Sequence, residues 1–266
     1  MKKLKVSHKT KYSFEAGPVS GLQQIKKTPF SDSCQTVLNW SLSLKGAKEE
    51  LTFMDTFDNN VNLIRIEPGI KELIIECEGH VEVTDKSGIL GYETSNIPLW
   101  VWTEQTKLTK PGPGIRKFAK SLTLKDDIGG FHKLMELINS SLEFQKNITD
   151  VKTTAEEAFK KGSGVCQDFT NIFIACCRLH ELPARYVSGF LLLENKKIQE
   201  AMHAWAEVFV DGLGWVGFDT ANKISPNDRY IRVAIGRDYS DAAPIKGVTL
   251  GVQHECLSVS ILISEQ

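Results

Sequence analysis

The N-terminal part of the chain alternates between apolar and polar side chains with a period of two. Two runs show this best: Leu4, Val6, His8, Thr10, Tyr12 and Phe14 share one parity, and so do Leu38, Trp40, Leu42 and Leu44. A period of two sends successive side chains to opposite faces of a strand. Turn-forming clusters at residues 58–60 and 67–69 separate such runs. The pattern predicts short antiparallel strands with one solvent-facing side, as in a β-sandwich.

A segment rich in proline and glycine, from Thr109 to Gly114, ends this pattern. Pro111-Gly112-Pro113-Gly114 can continue neither a helix nor a central strand. We therefore predict a domain boundary here. The β-sandwich domain is expected at residues 1–108 and a second domain at residues 109–266.

Beyond the boundary, apolar residues recur at three- and four-residue steps, which is typical of helices. The predicted helices lie at residues 115–122, 131–142 and 154–161, and a fourth follows Gly164. Thr153 or Thr154 is expected to cap the third helix, because Glu157 stands three residues after Thr154. The apolar face of the fourth helix consists of Phe169, Ile172, Phe173, Cys176 and Cys177.

The rest of the chain returns to strand patterns. Strands are predicted at residues 184–193, 203–210, 215–219 and 256–263, and turns at residues 195–197 and 211–214. The first of these strands ends in an almost wholly apolar run, which is typical of a central strand. The second domain is therefore predicted to be α+β, with a helix packed on an antiparallel sheet.

Charge and composition narrow the possible functions. The net charge is -1, which favours binding neither to nucleic acid nor to an anionic membrane. No run reaches the eighteen or more apolar residues that a membrane-spanning helix needs. The basic start, Met1-Lys2-Lys3, has no apolar stretch behind it, so we expect no signal peptide and a cytoplasmic location. The sequence predicts no particular oligomeric state.

The six cysteines are scattered, and none forms a C-x-x-C pair. Free thiols are therefore expected rather than a disulfide framework. The sequence contains no nucleotide-binding glycine motif and no His/Cys cluster with metal-ligand spacing. We expect neither a metal nor a cofactor.

Cys166 falls in the first turn of the predicted fourth helix. Backbone N–H groups there lack intrahelical partners, and the helix dipole favours an anion. Cys166 is thus the best candidate for a reactive thiolate. The alternative is an inert buried cysteine, because free cysteines are among the most buried residue types.

A thiolate nucleophile needs a histidine and a group that orients it. His203 opens one predicted strand and Asp219 closes the next. Pairing Val210 with Trp215 would put the two on opposite faces of the sheet, whereas a three-residue loop or a bulge would put them on the same face. Otherwise His203 is an ordinary core or surface residue and Asp219 only starts a turn.

Five blocks of the sequence, taken together, resemble one known protein family. They are residues 164–169 (GVCQDF), 182–190 (LPARYVSGF), 203–208 (HAWAEV), 214–219 (GWVGFD) and 236–241 (GRDYSD), the last followed by Pro244 and Gly247. In these blocks the chain resembles the bacterial transglutaminase-like superfamily. The N-terminal residues are similar to the β-sandwich that precedes such cores.

The resemblance implies a papain-like cysteine-enzyme core and a catalytic triad of Cys166, His203 and Asp219. It also implies acyl transfer through a thioester, with a peptide or protein amide as substrate. We expect a peptidase or amidase. The alternatives are a transglutaminase and a non-catalytic binding module with the same fold.

The oxyanion donors can only partly be predicted. The backbone N–H of Cys166 is one, and Gln167, Trp100 and Trp102 are candidates for the second. The two tryptophans can instead pack at the domain interface.

Overall fold

A computed structural model describes residues 1–93, 97–122, 124, 127–193, 198–252 and 254–266. The strands are β1 (Lys2–Phe14), β2 (Ser20–Ile25), β3 (Gln35–Lys45), β4 (Ala47–Met54), β5 (Asn60–Ile66), β6 (Glu72–Val83), β7 (Ile89–Gly91), β8 (Glu143–Phe144), β9 (Ser163–Gly164), β10 (Ala184–Leu191), β11 (Ile198–Gln199), β12 (His203–Val210), β13 (Gly214–Phe218), β14 (Tyr230–Gly236), β15 (Ile245–Leu250) and β16 (Glu255–Glu265). The helices are α1 (Pro113–Lys120), α2 (Ile128–Ser141), α3 (Ala155–Lys161), α4 (Cys166–Leu179) and α5 (Tyr239–Ala242), with a 3-10 turn at Leu99–Trp102. The turn predicted at residues 195–197 lies outside the described residues.

The N-terminal part folds into two antiparallel sheets that face each other, as predicted. Their strand orders are β11-β16-β1-β6-β3 and β15-β2-β5-β4. In β1 the side chains from Leu4 to Phe14 that share one parity are all buried, so the period of two was a reliable guide. Apolar side chains from both sheets fill the space between them, including Phe14, Ile25, Ile64 and Ile75.

The prediction for β3 was wrong at one residue. Leu38 was assigned to the inner face with Trp40, but its side chain is 43% exposed. The pairing of β3 with β6 shifts between Val37 and Asn39, so Leu38 is the extra residue of a bulge. Because a bulge reverses the parity, Val37 and Trp40 point inward and Leu38 does not.

The two C-terminal strands belong to the sandwich. β16 pairs with β1 from Phe14 opposite Glu255 to Leu4 opposite Glu265, and β15 pairs with β2. This differs from the predicted division, which places residues 245–265 in the second domain. Without these strands the edges of β1 and β2 would expose unpaired backbone groups. The boundary near residue 108 stays a prediction.

The second domain is built on a sheet with the order β14-β10-β12-β13-β7, in which all pairs are antiparallel. Every residue of β10 is buried between β14 and β12, which confirms the prediction of a central strand. Helix α4 packs on one face of this sheet, where Phe173 meets Phe218. Phe190 and Ile231 pack against the sandwich, together with Leu4 and Val6 of β1. The face opposite α4 carries Trp205 and Trp215, which pack with Leu90, Phe30 and Phe57 from the N-terminal part, so the sheet is covered on both sides.

A buried carboxylate explains how helix α1 begins directly after the proline–glycine segment. The side chain of Glu156, on α3, accepts hydrogen bonds from the backbone N–H groups of Gly112, Gly114 and Ile115. No side chain of the α1 N-terminus itself caps the helix. The predicted capping box of Thr154 and Glu157 starts α3. Among the described residues, no helix is long and apolar enough to cross a membrane.

Candidate active site

Helix α4 starts at Cys166, as the sequence predicted. The carboxylate of Asp168 accepts hydrogen bonds from the backbone N–H of Val165, at 2.8 Å, and from the Thr149 hydroxyl, at 2.7 Å. Gly164 lies so close that a Cβ there would come within 2.6 Å of the Asp168 side chain. These contacts fix the loop that ends in Cys166 and leave the thiol half-buried at the helix N-terminus.

The β12–β13 hairpin has a three-residue loop. Val210 pairs with Gly214, and the register continues to Ala206 opposite Phe218. Gly212 and Gly214 have φ angles of 76° and 78°, a region that glycine adopts at little cost. This is the register that puts His203 and Asp219 on the same face of the sheet.

His203 and Asp219 are in direct contact. Nε2 of His203 lies 2.6 Å from Oδ2 of Asp219. Nε2 faces the carboxylate, and the Cys166 thiol lies in the same cleft, close enough to His203 to affect the pKa of its imidazole. The structure thus brings together the three residues that the sequence analysis selected.

His203 and Asp219 each stabilise the charged form of the other. Burial disfavours a charged imidazole, but the Asp219 carboxylate and the neighbouring Cys166 outweigh it and raise the pKa of His203 to about 10. Burial alone would raise the pKa of Asp219, yet hydrogen bonds and the charge of His203 hold that pKa below its usual value. At neutral pH the site therefore holds an imidazolium in the same cleft as the Cys166 side chain.

Two residues that the sequence reasoning missed hold Asp219 in place. The Tyr230 hydroxyl and the Asn222 side-chain amide each donate to Oδ2 of Asp219, both at 2.7 Å. The backbone N–H of Asn222 donates to Oδ1. The spacing of Asp219 and Asn222 is a turn signal in the sequence, whereas nothing in the local pattern around Tyr230 indicates this contact.

Cys166 and His203 line a cleft of about 750 Å³. Its described walls come from the segment between β8 and α3, from β10 and the start of β12, and from the α5 region with Tyr239 and Pro244. Among the described residues, no group of three or more histidine, cysteine or acidic side chains could hold a metal ion.

The candidates for the second oxyanion donor differ in whether they line the cleft. Gln167 lines the cleft, and its Nε2 atom is buried with no hydrogen-bond partner among the described residues. Neither tryptophan is among the described residues that line the cleft. Trp102 is buried against Phe57 and Trp215, and Trp100 is 64% exposed. The role of a tryptophan as oxyanion donor stays a prediction, and Gln167 is the candidate that lines the cleft beside Cys166.

A helix that presents a cysteine from its first turn to a histidine–aspartate pair on an antiparallel sheet is the arrangement of a cysteine-enzyme fold. Residues 116–220 match the model of the transglutaminase-like superfamily, and residues 4–82 match that of the bacterial transglutaminase-like N-terminal region. The chain belongs to the transglutaminase-like superfamily.

Similar proteins share both parts of the chain. An uncharacterized protein of Mycobacterium leprae is 25% identical over 94% of this chain and 94% of its own length. One of Mycobacterium tuberculosis is 26% identical over 92% of this chain and 86% of its own length. A crystal structure from Cytophaga hutchinsonii, named a "putative cysteine protease", has a TM-score of 0.80 at 17% identity and covers 99% of this chain and 90% of that one. This last likeness shows that the fold is shared.

Proposed function

We propose that the protein is a cysteine peptidase or amidase that cleaves an amide bond through a thioester on Cys166. The observation that supports this most is the 2.6 Å contact between His203 and Asp219 beside a cysteine in the first turn of α4. A binding module has no use for an imidazole whose pKa is raised next to a thiol.

The acylation step follows from the charges of the three residues. The Cys166 thiolate attacks the amide carbonyl carbon, and the carbonyl oxygen becomes an oxyanion. The backbone N–H of Cys166 donates to this oxyanion, and we propose Gln167 as the second donor. The C–N bond then breaks as the His203 imidazolium gives its proton to the leaving nitrogen. The products are a free amine, a thioester and a neutral imidazole.

Deacylation reverses these roles. Neutral His203 takes a proton from water while the water oxygen attacks the thioester carbonyl. The C–S bond breaks, the acid leaves, and the thiolate–imidazolium pair forms again. Asp219 stabilises the charged imidazole and holds its ring in one orientation throughout.

The charges of the cleft favour water over an amine as the acceptor. A lysine amine is a cation, and a site for it should offer an unpaired carboxylate. Among the described residues that line the cleft, the carboxylate is that of Glu200, which forms an ion pair with Lys146 at 3.0 Å. This supports hydrolysis, and transfer to an amine is the second candidate.

One experiment separates the candidates. A screen of peptide, isopeptide and glutamine-amide substrates is run with and without a millimolar primary amine. A hydrolase releases free acid at an unchanged rate with little amine adduct, whereas a transglutaminase diverts most of the product to the amide. Cys166→Ala should abolish both products. If iodoacetamide at neutral pH does not label Cys166 faster than Cys256, which is exposed, the chain is a binding module and the proposal is wrong.

A further inference from the structure

The cleft around Cys166 contains large apolar side chains that remain exposed to solvent. Phe144 and Val151 are each 53% exposed, and Leu193 is 36% exposed. All three line the cleft together with Cys166. Residues of this kind are mostly buried in folded proteins, and apolar surface that is grouped at a cleft commonly marks a binding site.

The wall that carries Phe144 is tied to the loop of the nucleophile. β8 runs parallel to β9, with Phe144 opposite Gly164, and the backbone N–H of Gln145 donates to the carbonyl of Gly164 at 2.9 Å. The Phe144 ring also contacts the ring of Phe169, with centroids 6.3 Å apart. The position of this apolar wall relative to Cys166 is therefore fixed by backbone pairing.

The charges of the cleft cancel. Apart from His203, the charged side chains among the described lining residues are Lys146 and Glu200, whose Nζ and Oε2 atoms lie 3.0 Å apart. Lys146 follows β8 and Glu200 precedes β12. Their side chains are 54% and 73% exposed and already paired, so neither offers a charged substrate side chain a buried, unpaired partner.

We propose that the cleft selects amide substrates that present a large, uncharged apolar side chain beside the scissile bond, and that Phe144, Val151 and Leu193 contact this side chain. The inference rests on the proposed function and names the substrate class of the same site. When an apolar substrate side chain binds, apolar surface of both the substrate and the cleft is removed from water. A charged lysine or glutamate side chain brings little apolar surface to bury. We expect a preference of at least about tenfold.

The test uses three peptide vinyl sulfones that differ only in the residue beside the electrophile, which is leucine, lysine or glutamate. Mass spectrometry follows the addition of each probe to Cys166, and each rate is divided by the iodoacetamide rate of the same variant. The leucine probe should react at least about tenfold faster than the other two. Phe144→Ser and Val151→Ser should each reduce this ratio severalfold.

The matched control is Val248→Ser on β15, where an apolar side chain that is 65% exposed lies in the sandwich. It should leave the ratio unchanged. Equal rates for the three probes, with fast iodoacetamide labelling, would overturn the selectivity and leave the proposed function standing. Absence of fast iodoacetamide labelling would overturn both. A parent chain that is dimeric by sedimentation, with a monomeric Phe144→Ser variant, would show that a second copy covers this surface and would also overturn the inference.

Discussion

Val210 pairs directly with Gly214 across the β12–β13 hairpin, and this single register decides whether the candidate site can exist. With a loop of three residues, Asp219 lies on the same face of the sheet as His203. A shift of one residue would turn the Asp219 side chain to the opposite face. The positive φ angle of Gly214 makes the short loop possible.

Replacing Asp219 by asparagine should abolish most of the activity and keep the fold. The asparagine amide cannot stabilise a charged imidazole and favours a different tautomer, and the same change in a serine triad costs about ten-thousand-fold in kcat. The measurement is kcat on whichever amide substrate the screen selects, with near-UV circular dichroism for the fold. Asp211→Asn, in the exposed hairpin loop, is the control. Full activity in Asp219→Asn would mean that another group orients His203.

The stability of the chain should depend on the protonation of His203. The pKa of His203 is about 10 in the folded chain and about 6.5 in the unfolded chain, so the folded state binds this proton more tightly. The resulting stabilisation is complete below pH 6.5 and is lost as the pH rises through about 10. Melting temperatures from pH 6 to pH 10.5 should therefore fall more steeply for the parent than for His203→Gln. Equal slopes would contradict the charged pair.

Glu156→Gln should destabilise the chain by about 1 to 3 kcal/mol, because a carboxylate that accepts three backbone N–H groups is replaced by a neutral amide. Burial works against the charge, yet the hydrogen bonds and Lys160 lower the pKa of Glu156. This stabilisation should disappear as the pH falls through that lowered pKa. Urea unfolding at neutral pH gives the difference. Glu136→Gln, at an exposed helix pair with Lys133, should change the free energy of unfolding by less than about 1 kcal/mol.

Lys27→Met should stabilise the chain at neutral pH by about 1 to 3 kcal/mol. The Lys27 amine is buried and contacts the Thr10 hydroxyl and the His8 ring, and burial lowers the pKa of Lys27 from 10.5 to about 8. Since the unfolded chain binds this proton more tightly, the parent gains stability as the pH rises from about 8 to 10.5, and the advantage of the variant shrinks.

Replacing Lys26, the residue next to Lys27, should have the opposite effect on stability. Lys26 forms an ion pair with Asp55 at 2.6 Å, and its Nζ atom donates to the backbone carbonyl of Asp241. Lys26→Met should therefore destabilise the chain, because it leaves a half-buried carboxylate without its partner. Urea unfolding of both variants at pH 7 and pH 10 checks the pair of predictions. Destabilisation by both variants at both pH values would show that Lys27 stabilises the sandwich.

A chain that ends at Leu250 should not fold cooperatively. It would lack β16, leave the edge of β1 unpaired and expose the pocket that Ile261 and Ile263 fill. Calorimetry of residues 1–250 should show no sharp transition, whereas a chain that lacks only Glu265 and Gln266 should melt like the parent. A cooperative transition in the shorter chain would support the division predicted from the sequence.

Much of this protein was determined by its sequence alone. The period of two defines the strands of the sandwich, the helical period defines α4, and the glycines place Cys166 at its start. Each of these features is local, because the backbone geometry and the need to bury one face act over a few neighbouring residues. For the same reason Thr154 and Glu157 could be recognised as a capping box.

Only the tertiary structure decided which distant groups meet. The sequence allowed two hairpin registers, and the folded chain has the one in which Val210 pairs with Gly214 and His203 meets Asp219. Tyr230 reaches Asp219 because β14 lies beside β10, and β16 returns to β1 because that strand has a free edge. Trp102 is buried because its ring packs against Phe57 and Trp215. Such contacts depend on the whole arrangement of strands, which no short window of the sequence contains.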